Sequence, residues 1–126
     1  MIPLAAIDPG KHGAIAVLLS SSEIAIADFP LGKAKEPNRQ RLFALSKLCQ
    51  GGTAYIESPQ FRPHDGKDRV MKSGIYIECW QFPLIMHGVS LRYVSATVWK
   101  RSLNLFGKGK EGSRELAKEK FPAAAP

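Results

Sequence analysis

At 126 residues, with 44% hydrophobic and 23% charged side chains, the chain has the length of one domain and the make-up of an ordinary globular protein. Eighteen Lys and Arg against eleven acids give a net charge of +7, which favours a polyanionic partner through phosphate neutralisation and counterion release. No apolar run reaches the length of a membrane span, no charged-then-apolar secretory signal opens the sequence, and the cysteines and histidines are too scattered for a zinc site.

Strands are expected over about 3–8, 13–19 and 23–29. Gly10 and Gly13 flank the first turn and Ser20-Ser21-Ser22 marks the second, so the three form an antiparallel meander that ends at Phe29-Pro30. After the basic loop Leu31–Pro37, Asn38 is a good cap for a helix running to about Gln50, with Leu42, Leu45 and Leu48 three residues apart. Gly51-Gly52 stops that helix, and a strand over 53–57 follows. A strand–helix–strand crossover of this kind predicts parallel pairing with the first strand.

Residues 58–68 read as a loop carrying Arg62, His64, Asp65, Lys67 and Asp68. A second helix is expected over about 69–87, with Val70, Ile75, Ile77, Phe82, Leu84 and Ile85 as its apolar face, although Pro83 should kink or end it. Leu91–Val94 is a fifth strand, Ser95 or Thr97 caps a short helix to about Leu103, and a last helix runs from about Lys110 to Phe121. Three strands, helix, strand, helix, strand and helices make an α/β fold with a mixed sheet. Cys49 and Cys79 read as reduced thiols in a cytoplasmic protein.

Two carboxylates stand out. Asp8 ends the apolar strand Leu4-Ala5-Ala6-Ile7, and Glu57 ends Thr53-Ala54-Tyr55-Ile56. Ligands of open α/β sheets gather at the carboxyl ends of strands, and hard divalent ions such as Mg²⁺ or Mn²⁺ prefer oxygen ligands. If the first and fourth strands are neighbours, these two acids converge.

Ile7-Asp8-Pro9-Gly10 with Gly13-Ala14-Ile15-Ala16, then Ile56-Glu57-Ser58-Pro59-Gln60, Val98-Trp99-Lys100, and Gly109–Arg114 leading to Phe121-Pro122, follow one another in register. In these stretches, which span nearly the whole chain, it resembles the RuvC-like Holliday junction resolvases, especially their phage and prophage members, within the RNase H-like superfamily. The resemblance implies a single RNase H-like domain over 1–126, working in the cytoplasm of a bacterial or phage-infected cell. It implies a homodimeric, Mg²⁺- or Mn²⁺-dependent endonuclease that resolves four-way DNA junctions, with Asp8 and Glu57 as catalytic, metal-binding acids. Such enzymes cut phosphodiesters with two ions about 4 Å apart.

Lys11, Gln60, Phe61, Arg62, Lys67, Arg69, Lys100 and Lys110 are the DNA-contacting positions the resemblance brings forward. Phe61 is either a wedge at the junction's exchange point or a loop aromatic folded onto the core. Trp99 reads as a core anchor rather than a base-stacking residue. The helix over 69–87, with Trp80 and Phe82, is the expected dimer interface, while Met71 and Met86 could equally be core.

The family also has one or two further acids on a C-terminal helix beyond the Phe121-Pro122 match, where this sequence reads Ala123-Ala124-Ala125-Pro126. Glu111, Glu115 and Glu119 could substitute, yet with Arg114 and Lys118 between them they read as a solvated helix laced with ion pairs. The competing function is a non-catalytic branched-DNA-binding protein on the same fold. An actin- or sugar-kinase-like ATPase is disfavoured, because no second phosphate loop or adenosine pocket is evident.

Overall fold

A computed structural model describes residues 2–122. Its elements run β1 (Leu4–Asp8), β2 (Ala14–Leu18), β3 (Ile24–Asp28), α1 (Arg39–Lys47), β4 (Thr53–Ser58), α2 (Lys67–Met86), β5 (Ser90–Ser95), α3 (Ala96–Ser102) and α4 (Gly109–Lys120). The five strands form one sheet in the order β3-β2-β1-β4-β5. The meander pairs antiparallel, whereas β4 joins β1, and β5 joins β4, in parallel. The crossover through α1 therefore lands where the sequence puts it.

Strict alternation decides which way each strand faces. Ala5 and Ile7 of β1, Ile15 and Val17 of β2, and Ala54 and Ile56 of β4 point to one side and are buried. On that side α1 contributes Leu42 and Leu45 and α2 contributes Cys79, Trp80 and Leu84. Phe29 sits edge-on to both Tyr76 and Trp80, with ring centroids 5.2 Å and 6.1 Å away. Each fully buried Leu or Ile here contributes roughly 1.5–3 kcal/mol through removal from water. The opposite side carries Leu4, Ile26 and Tyr55, all 42% to 55% exposed. Asp8 belongs to this second side.

Local signals set the helix ends. Asn38 Oδ1 accepts from the Arg41 N–H at 3.1 Å and starts α1, as the sequence suggests. Of the two candidate caps for α3, Ser95 is the one used: its hydroxyl accepts from the Val98 N–H at 3.2 Å. Cys49 and Cys79 are buried, free thiols, and burial pushes Cys49 up to about 11.

Three expectations are corrected. Pro83 does not end α2, which continues through it to Met86. It lies in the last turn, its ring is buried, and its carbonyl accepts from the His87 N–H at 3.1 Å. The buried stripe of α2 is Cys79, Trp80, Pro83 and Leu84, with half-buried Tyr76 beside it, rather than the broad face expected. Trp80 is consequently a core residue with no exposed surface, while Met71 and Met86 are exposed and lie outside the core.

Candidate metal and nucleic-acid site

Parallel register brings the two acids together. Leu4 pairs with Thr53 and Ile7 with Ile56, so Asp8 and Glu57 occupy the next rung, at the carboxyl ends of adjacent strands. Both follow a buried isoleucine, and alternation turns both onto the side of the sheet away from α1 and α2. Neighbouring strands lie about 4.8 Å apart, within reach of one cation. Partial burial, and after it the negative charge of Glu57, raise the Asp8 carboxyl above its ordinary value.

The turn beneath Asp8 is tight. A Cβ on Gly13 would come within 1.9 Å of the Asp8 carbonyl oxygen, and Gly10 holds φ at +142°, so the strand end is shaped by glycines that larger residues cannot replace. Lys11 projects from this turn, half-buried.

Glu57 has a partner that the sequence reading assigned elsewhere. The indole Nε1–H of Trp99 donates to Glu57 Oε2 at 2.7 Å. Trp99 is half-buried at the sheet end and takes no part in the core, contrary to its reading as a core anchor. The reason is positional: β5 runs parallel to β4, and α3 begins directly after it, which brings Trp99 to Glu57 of β4. An indole there has an N–H that needs an acceptor, and Glu57 is the one within reach. The ammonium of Lys100 rests 5.5 Å from the centre of the same ring.

The loop after β4 is pinned at both ends. Gln60 Nε2 donates to Thr97 Oγ1 at 3.4 Å. Asp65 Oδ2 accepts from the Arg62 N–H at 2.6 Å, and Asp65 also pairs with Arg69 at the start of α2. The Arg62 backbone N–H, followed by the Arg69 and Arg62 charges, holds the Asp65 carboxyl below the usual carboxylate range. Between these ties Phe61 is 45% exposed, so it is not folded into the core. Arg62 and Lys67 are exposed around it, and Lys110 is exposed at the start of α4. Arg69 differs from the other basic positions in being engaged with Asp65.

Donor chemistry fits one hard cation. Mg²⁺ commonly binds through one or two carboxylates, completing its shell with water and substrate phosphate oxygens. Among the described residues no group of three or more His, Cys, Asp or Glu side chains surrounds a common point. Glu111, Glu115 and Glu119 are exposed on α4, and Glu111 pairs with Arg114 at 3.2 Å, as expected of a solvated helix. The positions beyond the Phe121-Pro122 match lie outside the described residues.

No protein-family model matches the sequence, and no curated protein does. Solved structures do. RuvC of T. thermophilus in complex with a Holliday junction substrate superposes with a TM-score of 0.70 at 16% identity, over 100% of this chain and 83% of that one. A second Thermus thermophilus RuvC structure gives 0.68 at 16% identity, over 98% and 83%. The chain has the RuvC fold. The RNase H-like mixed sheet flanked by helices, expected from the sequence, is thereby established, and no helix among the described residues is long and apolar enough to cross a membrane.

Proposed function

We propose that this chain binds four-way DNA junctions and hydrolyses their phosphodiesters with a divalent metal ion held by Asp8 and Glu57. The observation that carries this reading is the shared rung of the two carboxylates at the open end of a sheet with the RuvC fold. A structural neighbour solved in complex with a Holliday junction substrate supports the choice of substrate class. A bound Mg²⁺ or Mn²⁺ would stabilise charge on a phosphodiester oxygen and make water more acidic.

The chain's own residues have separable tasks. Asp8 and Glu57 supply the oxygens for the ion. Lys11, Arg62, Lys67, Lys100 and Lys110 offset phosphate charge, consistent with the net charge of +7. Phe61, exposed between the two ties of its loop, stacks on an unpaired base at the branch point. Arg69 acts through Asp65, keeping that loop ordered.

A two-fold junction requires paired cuts, which suits a symmetric dimer. Met71, Phe82, Ile85 and Met86 leave an apolar stripe on α2 that is 61% to 66% exposed, and we assign the dimer contact to it in place of the buried Trp80.

Incubation with a labelled four-way junction and with linear duplex, in Mn²⁺ or in EDTA, tests this reading. Selective junction binding with nicked product only in Mn²⁺ is expected, and equal binding to both substrates would remove the assignment. The lack of a third grouped acid among the described residues favours a binding-only protein as the second reading. That reading gives selective binding in EDTA and no product in either condition.

A further inference from the structure

We propose that Trp99 is a positioning residue that locks the Glu57 carboxylate into one orientation and, through its ring face, places Lys100 beside the same site. The inference rests on the reading of Glu57 as a metal ligand and extends it to a residue outside the ligand set. Trp99 Nε1 lies 2.7 Å from Glu57 Oε2, a short charge-assisted hydrogen bond. A glutamate at the end of a strand otherwise has freely rotating side-chain torsions, and fixing it costs entropy each time a cation binds. The indole removes that freedom beforehand. It also occupies a lone pair on Oε2 and leaves Oε1 for a cation shared with Asp8.

The same ring carries Lys100 on its face, with Nζ 5.5 Å from the centroid. One side chain thus links an acid that holds metal to a cation suited to phosphate. α3 is the element that makes this possible: Ser95 caps it immediately after β5, and Thr97, two residues before Trp99, holds Gln60 of the neighbouring loop. Outer ligands of this kind typically alter metal affinity 10- to 100-fold when removed.

Two variants separate the functions of the ring. Trp99→Phe keeps an aromatic face for Lys100 and deletes the donor to Glu57. Trp99→Leu removes both. Calorimetric titration of the protein with Mn²⁺, without DNA, is expected to give binding roughly 10- to 100-fold weaker in both variants than in the unmodified chain. Junction affinity in EDTA should be retained by Trp99→Phe and reduced in Trp99→Leu.

A readout independent of any variant at residue 99 is the indole N–H resonance of ¹⁵N-labelled protein. Trp99 and Trp80 are the two tryptophans. The Trp99 signal should lie downfield, move on Glu57→Gln substitution, and respond to Mg²⁺, while the Trp80 signal stays in place. Undiminished Mn²⁺ affinity in Trp99→Phe, or an indole signal insensitive to Glu57→Gln, overturns the positioning role and leaves the metal reading standing. Failure of the unmodified chain to bind Mn²⁺ overturns the metal reading, and the proposal with it.

Discussion

Asp8→Asn should make the protein more stable at neutral pH while abolishing its response to metal. Asp8 and Glu57 each follow the last paired isoleucine of adjacent parallel strands, which lie about 5 Å apart, and the charge of Glu57 is felt at Asp8. At that spacing two unit charges repel by about 1 kcal/mol even in a water-like dielectric. Partial burial of Asp8, the larger cause of its raised carboxyl value, adds to the gain from neutralising it. The pH dependence follows from the direction of the shift. A carboxyl raised in the folded state holds its proton more tightly there than in the unfolded chain. The penalty is therefore absent below the unfolded value of about 3.9 and complete above the folded value.

Thermal unfolding at low salt measures this. For a domain of this size 1 kcal/mol corresponds to about 4 °C, so Asp8→Asn should melt about 4 °C higher near pH 7 and level with the unmodified chain near pH 3. Mn²⁺ at about a hundred times its dissociation constant should add about 2.7 kcal/mol, or about 10 °C, to the unmodified chain and almost nothing to Asp8→Asn. An equal gain at both pH values would mean that asparagine simply packs better. That result, or an undiminished Mn²⁺ shift in the variant, would refute convergence of the two charges.

Phe61→Ala should leave the melting temperature within the small range of surface substitutions, about 0.5 kcal/mol, yet weaken junction binding measured by gel shift, because the ring is exposed and its loop is tied independently of it. Asp65→Asn should loosen residues 59–66 in hydrogen exchange; since the native carboxyl is held low, the difference from the unmodified chain should be present above the ordinary carboxylate value and fade as pH falls through the lowered one. Leu84→Ala should cost about 2–5 kcal/mol in denaturant unfolding, since Leu84 has no exposed surface and its removal leaves a cavity between α2 and the sheet. Phe82→Glu, on the exposed side of the same helix, should preserve the fold and shift the sedimentation coefficient from dimer to monomer.

Much of this architecture is legible residue by residue. Alternation in Leu4–Asp8 and Thr53–Ser58 and the Asn38 cap are short-range signals that act as the sequence implies, whereas α1 ends at Lys47 with Leu48 as its cap, ahead of the Gly51-Gly52 stop expected near Gln50. α2 is less legible. Apolar residues lie on nearly every side of it, so periodicity cannot choose between Trp80 and Phe82 as the inward residue. Pro83 follows a local rule that its place in the last turn relaxes. Trp99 is the clearest miss: an aromatic after a strand has many possible homes, and its acceptor lies 42 residues earlier in the chain.

By itself the amino-acid order determined the strands, the crossover that makes β1 and β4 neighbours, and the fact that an acid ends each of them, because hydrophobic alternation, caps and turn residues act over a few positions. Tertiary structure alone decided which side of α2 is buried, how the loop around Phe61 is tied, and that an indole grips Glu57. Those outcomes depend on α2 packing against the sheet and α3 landing at its open end, contacts whose geometry no local pattern encodes.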